Sequence, residues 1–357
     1  MLSVLLAAVP ATLICAACSS ATAPAITPFV ADLGVRGAAS EVTQDRPSAR
    51  DRCTRFAKQR IYVGVFYKEG FQNLFSLKTS GRGNVPSLCQ ITYSGIGETQ
   101  GLALDANGRL WQSNFNPSNN ADSLFVFGVH ATGDSAPTQT IAGSNTLLSG
   151  QGGGEYQQMG IDASGTVWVP NRNGNGGYIT AYANSANGNV APIATIGLGD
   201  NGSSEHLSAP TSVAFDRNGN MFVANFTGPG TIDVFRPPFS DTSTPLVTWT
   251  LPGPLEYANA LYLSFDLRGD LYVAGQKNID MYPKGLKSGG SASIQLQVPS
   301  AIIFGVSTDE KGRVYVVNQG DFDIDVLPPR PASYNPIRSL RGETWGDNAP
   351  ETITIGE

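Results

Sequence analysis

The sequence predicts an all-β protein: a six-bladed β-propeller of four-stranded antiparallel blades, closed by a C-terminal strand that completes the first blade. Three observations predict it. The 357 residues include 41 glycines and 23 prolines but only 15% charged residues, which suits many short strands joined by turns and argues against a helical bundle. One pattern recurs five times, at 101–115, 159–172, 212–226, 262–276 and 305–319. It consists of an apolar run, Asp, two residues, Gly, one residue, a hydrophobe and an aromatic. Finally, the terminal segment 349–357 repeats the lead-in and first strand of such a unit without the rest.

Each strand of the unit follows from its residues. The first ends at Asp105, Asp162, Asp216, Asp266 or Asp309, and Gly108, Gly165, Gly219, Gly269 or Gly312 comes three positions later. Asp at the first and Gly at the fourth position is the chemistry of a tight turn: the carboxylate accepts local N–H groups and Gly accepts positive φ. The second strand carries Trp111, Trp168, Phe222, Tyr272 or Tyr315. A third, alternating strand follows at 123–128, 178–183, 231–236, 278–283 and 322–327. Pro137, Pro192, Pro245 and Pro336 stand just before the fourth strand in four units. Proline cannot donate to a ladder and so suits an edge strand, which it also protects from aggregation.

Units of four strands at roughly 50-residue intervals are the mark of propeller blades. A partial unit precedes the five full ones: 60–66 reads as its second strand, 73–79 as its third and 86–93 as its fourth. Its missing first strand is the terminal segment, with Glu357 where the turn Asp would stand. The propeller is therefore expected over 59–357, closed by strands from both ends of the chain.

The segment ahead of the ring carries an address. Residues 1–17 are apolar and too short for a comfortable membrane span, so they read as a secretory signal. Ala16, Ala17 and Cys18 followed by two serines look like a bacterial lipoprotein cleavage site, which would make Cys18 the lipidated N-terminus; plain cleavage and free secretion is the alternative. The Ser/Ala/Pro-rich stretch within 18–58 reads as a flexible tether and pre-domain segment. Of the four cysteines, Cys53 and Cys89 would remain, and export predicts a disulfide between them.

With 23 Lys and Arg against 29 Asp and Glu, the net charge is −6, without the basic footprint of a nucleic-acid binder. The protein is expected to be a monomer that meets a membrane only through its lipid anchor.

The repeat resembles NHL-repeat six-bladed propellers and, more loosely, the gluconolactonase/regucalcin-like and virginiamycin-lyase-like propellers. The resemblance implies a ligand face carrying the loops before first strands and after second strands. Members of these groups include lactonases, lyases and interaction modules, so fold alone leaves function open. Gluconolactonase-like enzymes hold a divalent cation with acidic and amide side chains at the starts of inner strands. The matching residues here are Gln100, Gln157, Thr211, Leu261 and Phe304, none of them a carboxylate or Asn. Hard cations want clustered anionic oxygens, so no metal or other cofactor is expected. Glu155 and Asn259, just upstream of first strands, are ligand-face candidates or solvated loop residues.

Virginiamycin-lyase-like enzymes use a His base. The two histidines are His130, at the end of a third strand, and His206, on the loop face beside Glu205. Glu205 and His206 are the acid–base candidates by location. Asn114, Asn171, Asn225 and Asn318 end second strands on the same face. They form either a ring of amides for a polar ligand or side chains that close turns on their own backbone; recurrence in four blades favours the second. The turn aspartates lack the EF-hand spacing, and no nucleophile elbow, zinc motif or phosphate loop occurs. The expected function is an exported, lipid-anchored module of the bacterial envelope that binds a polar small molecule, glycan or protein on its loop face. The alternative is a lactonase-like hydrolase or lyase in the central depression.

Overall fold

The computed structural model describes residues 60–66, 73–149, 157–173, 176–198, 207–226, 230–251, 261–285, 292–298, 302–342, 345 and 348–356. Six antiparallel sheets stand around an axis. Blade 1 is Ala349–Gly356, Arg60–Phe66, Asn73–Lys78 and Cys89–Ile91, in that order outward. Blade 2 runs from Glu98–Leu104 to Gln139–Ala142, and blade 3 from Gly160–Ile161 to Ala194–Ile196. Blade 4 runs from Pro210–Phe215 to Val247–Thr250, and blade 5 from Tyr262–Phe265 to Ile294–Gln297. Blade 6 runs from Ile303–Thr308 to Arg338–Gly342. First strands of neighbouring blades contact one another, and that of blade 6 contacts the terminal strand of blade 1, which closes the ring.

The closure is the one expected. Arg60–Phe66 pairs antiparallel with the terminal strand from Arg60↔Gly356 to Phe66↔Ala349, with one irregularity between Gly64 and Val65. A further element departs from four strands per blade. Gly83–Val85, in the connection between the third and fourth strands of blade 1, adds parallel to the outer strand of blade 6. The outer strand that follows Pro336 is therefore covered, and a second seam joins the first blade to the last.

The Asp–Gly turns hold in all five full units. In each, the Gly N–H donates to the Asp carbonyl. The Asp Oδ1 also accepts two backbone N–H groups, as from Asn218 and Asn220 onto Asp216. Gly219 sits at φ 78° with nothing near a notional Cβ, so backbone conformation alone demands glycine there. In blades 2, 3 and 6 the other carboxylate oxygen accepts from the aromatic of the second strand: Trp111, Trp168 or Tyr315.

Each seam between blades has its own apolar core, six in all among the described residues. Near the axis the first strands come close enough to exclude side chains. A Cβ on Gly101 would lie 2.0 Å from the Gln157 carbonyl oxygen. This approach lets Gln157 N–H donate to the Gln100 carbonyl, and Gln158 N–H to that of Thr211. The Gln158 side chain then donates to the Leu102 carbonyl at 2.7 Å and accepts from Thr352 at 3.4 Å. One side chain of blade 3 thus ties the inner strands of blades 1 and 2 at the centre of the ring.

Candidate ligand-binding site

The loop-face asparagines are buried, and their amides are engaged by the fold. Asn114 Oδ1 accepts from Gly97 N–H at 2.7 Å, Asn171 Oδ1 from Ser149 and Asn225 Oδ1 from Ser208. Each of these three closes the loop that leads into its own blade. Asn318 instead closes the following turn, accepting from Asp321 N–H. The inner-strand positions Gln100, Gln157, Thr211 and Leu261 are also buried. Glu155, Asn259, Glu205, His206, Cys18 and Cys53 lie outside the described residues. Cys89 is disulfide-bonded, and the Arg60 guanidinium donates to its sulfur at 3.8 Å. His130 is exposed and lines a depression of about 600 Å³ with Arg60, Tyr62 and Gly356. The acid of that depression, Asp105, is already engaged. Burial would raise its carboxyl, but bonds from Arg109 and Trp111 outweigh that and hold it low.

A recurring acid escaped the sequence reading. Asp233, Asp280 and Asp325 occupy one register in the third strands of blades 4, 5 and 6, and all three are buried. Buried carboxylates require hydrogen bonds. Asp233 accepts from Asn225 at 2.7 Å and Thr248 at 2.5 Å. Asp325 accepts from Asn318, Tyr334 and Ser339. Asn225 and Asn318 are therefore half of an internal Asn–Asp pair, whereas Asn114 and Asn171 donate to Ser123 and Thr180 instead. The signal was the repeated Ile-Asp of the third strands.

A cleft of about 510 Å³ lies between blades 4 and 5. It lies on the face of the Asp–Gly turns, opposite the loop face. Sequence reasoning missed it because its walls come from distant strands. An aromatic chain builds the inner wall. Phe222 meets Trp249 edge-on at 5.6 Å and Phe265 at 4.9 Å, and Trp249 leans on Tyr282 at 5.6 Å. These four rings all line the cleft. Leu246, 56% exposed, stands at its edge as the residue after Pro245.

Among the described residues, two polar atoms in this apolar wall are buried without a partner, Trp249 Nε1 and Tyr282 OH. Their residues are 8% and 2% exposed. Buried unpaired donors cost roughly 1–3 kcal/mol each. Burial, reinforced by the Asp280 charge, pushes the Tyr282 phenol well above its ordinary value, so it stays a neutral donor. The charged lining comprises Asp216, Arg217, Arg236 and Lys284. Asp216 is committed to its own turn through Asn218 and Asn220. Among the described residues, none of the three cations forms an ion pair.

No family model matches the chain, and no curated protein matches its sequence. Solved structures do resemble it. A protein of unknown function from Bacteroides caccae has a TM-score of 0.54 at 11% identity, covering 84% of this chain and 98% of its own. A protein from Lactobacillus plantarum has a TM-score of 0.54 at 14% identity, covering 80% and 82%. A catalytically inactive virginiamycin B lyase from Staphylococcus aureus, solved with quinupristin, has a TM-score of 0.47 at 13% identity, covering 71% and 73%. At such identities the likeness is one of fold: this chain is a six-bladed β-propeller.

Proposed function

We propose that the protein is an exported binding module that takes a small molecule into the cleft between blades 4 and 5. One observation carries the reading. The cleft falls within the usual size of ligand pockets, roughly 300–1,000 Å³, and has their usual make-up, an apolar aromatic wall with a few convergent polar groups. Its one acid is tied into a turn, which leaves donors and cations for recognition. Export and anchoring through Cys18 are supported by the apolar run 1–17 and the serines behind it.

Ligand-observed NMR with a library of small aromatic fragments tests the binding reading. Fragments are expected to compete for one site and to lose binding in Leu246→Glu, an exposed change that leaves the core intact. Fragments that bind Leu246→Glu as well as the parent protein would refute it. For the anchor, labelling with a radioactive fatty acid in a bacterial host should mark the protein and fail to mark Cys18→Ser.

A further inference from the structure

From the chemistry of the cleft we infer its ligand class: a planar aromatic anion, such as an aromatic carboxylate. This inference rests on the binding reading above and adds charge and shape to it. Three independent features converge. Trp249, Phe222 and Tyr282 present ring faces and edges that favour a flat, polarisable partner. Trp249 Nε1 can only donate, and the neutral Tyr282 hydroxyl donates at any physiological pH, so two residues of the wall carry buried donors with no acceptor among the described residues. Arg217, Arg236 and Lys284 place three positive charges at the rim against one committed acid. A locally positive cleft stands out on a chain of net charge −6 and draws anions preferentially. An apolar anion satisfies all three features. A neutral aromatic leaves the rim unused.

A matched trio of probes tests the class: naphthoate, naphthylmethanol and naphthylmethylamine, titrated by calorimetry against the full chain. Three rim cations should give naphthoate an advantage of about tenfold over naphthylmethanol, at a few-fold per exposed charge pair. That advantage should shrink on moving from low to high salt, because exposed charges are screened. The double variant Arg236→Ala/Lys284→Ala should lose about fivefold in naphthoate binding and leave naphthylmethanol unchanged. Trp249→Phe keeps a ring but removes the donor, so it should weaken both of those probes. Equal binding of all three probes, blocked by Leu246→Glu, would overturn the anion assignment and leave the binding reading standing. Tighter binding of naphthylmethylamine would overturn it equally. No binding by any probe, or binding indifferent to Leu246→Glu, would remove both readings.

Discussion

Asp280 should make folding weaken as pH rises through the weakly acid range. Its counterparts show what it lacks. Asp233 has Asn225 and Thr248, and Asp325 has Asn318, Tyr334 and Ser339. In blade 5, Gly275 stands where the asparagine would be, and exposed Gln295 faces Asp280 across the ladder. Among the described residues, Asp280 keeps only Asn278, at 3.2 Å. Burial therefore pushes its carboxyl from 3.8 up to about 6. A folded-state value above the unfolded one means the folded protein holds the proton more tightly. The resulting stability is fully present below pH 3.8 and is lost as pH rises through about 6. At about 1.4 kcal/mol per pH unit, the whole loss is about 3 kcal/mol.

Asp280→Asn keeps an acceptor for Asn278 and removes the charge. Urea denaturation at a series of pH values from 4 to 7.5 should show the variant gaining about 2.4 kcal/mol on the parent across that range. The comparison is of slopes, so other groups cancel, including Asp323, whose carboxyl burial and the neighbouring Asp325 and Asp321 raise to about 7. Parallel pH profiles for the two proteins would refute the reasoning.

Two further outcomes follow from the fold. Deleting 349–357 removes the inner strand of blade 1 and every pair with Arg60–Phe66, so calorimetry should show loss of the single cooperative transition; a truncated chain that melts like the parent would contradict closure. Asn225→Ala strands the Ser208 N–H and removes a donor from buried Asp233, which should cost about 2–4 kcal/mol in denaturant unfolding. A neutral result there would move Asn225 from the fold to the ligand.

The ring was legible because its rules are local. Each Asp–Gly turn is written in five consecutive residues, and five copies agree. The terminal strand was legible because 349–357 copies a first strand, so a non-local pairing could be read from a local likeness. The parallel addition of Gly83–Val85 was not legible, since three residues carry no periodicity and their partner lies at the far end of the chain. The loop-face asparagines read from sequence as closers of the turn that follows them; Asn318 Oδ1 acts so, whereas those of Asn114, Asn171 and Asn225 accept from the loop ahead of their own blade. The pairing of Asn225 with Asp233 and of Asn318 with Asp325 was hidden because it joins neighbouring strands rather than neighbouring residues. The cleft was least legible of all. Trp249 sits in a fourth strand and Tyr282 in the next blade's third strand, and only the packing of one blade on the other sets them 5.6 Å apart.

The claim that this propeller binds between blades 4 and 5 is tested most directly by a crystal structure of the protein grown with naphthoate. The expected result is the ring against Trp249 and Tyr282 with the carboxylate toward Arg236 and Lys284. Naphthoate seated on the loop face, with the cleft holding only solvent, would contradict the account.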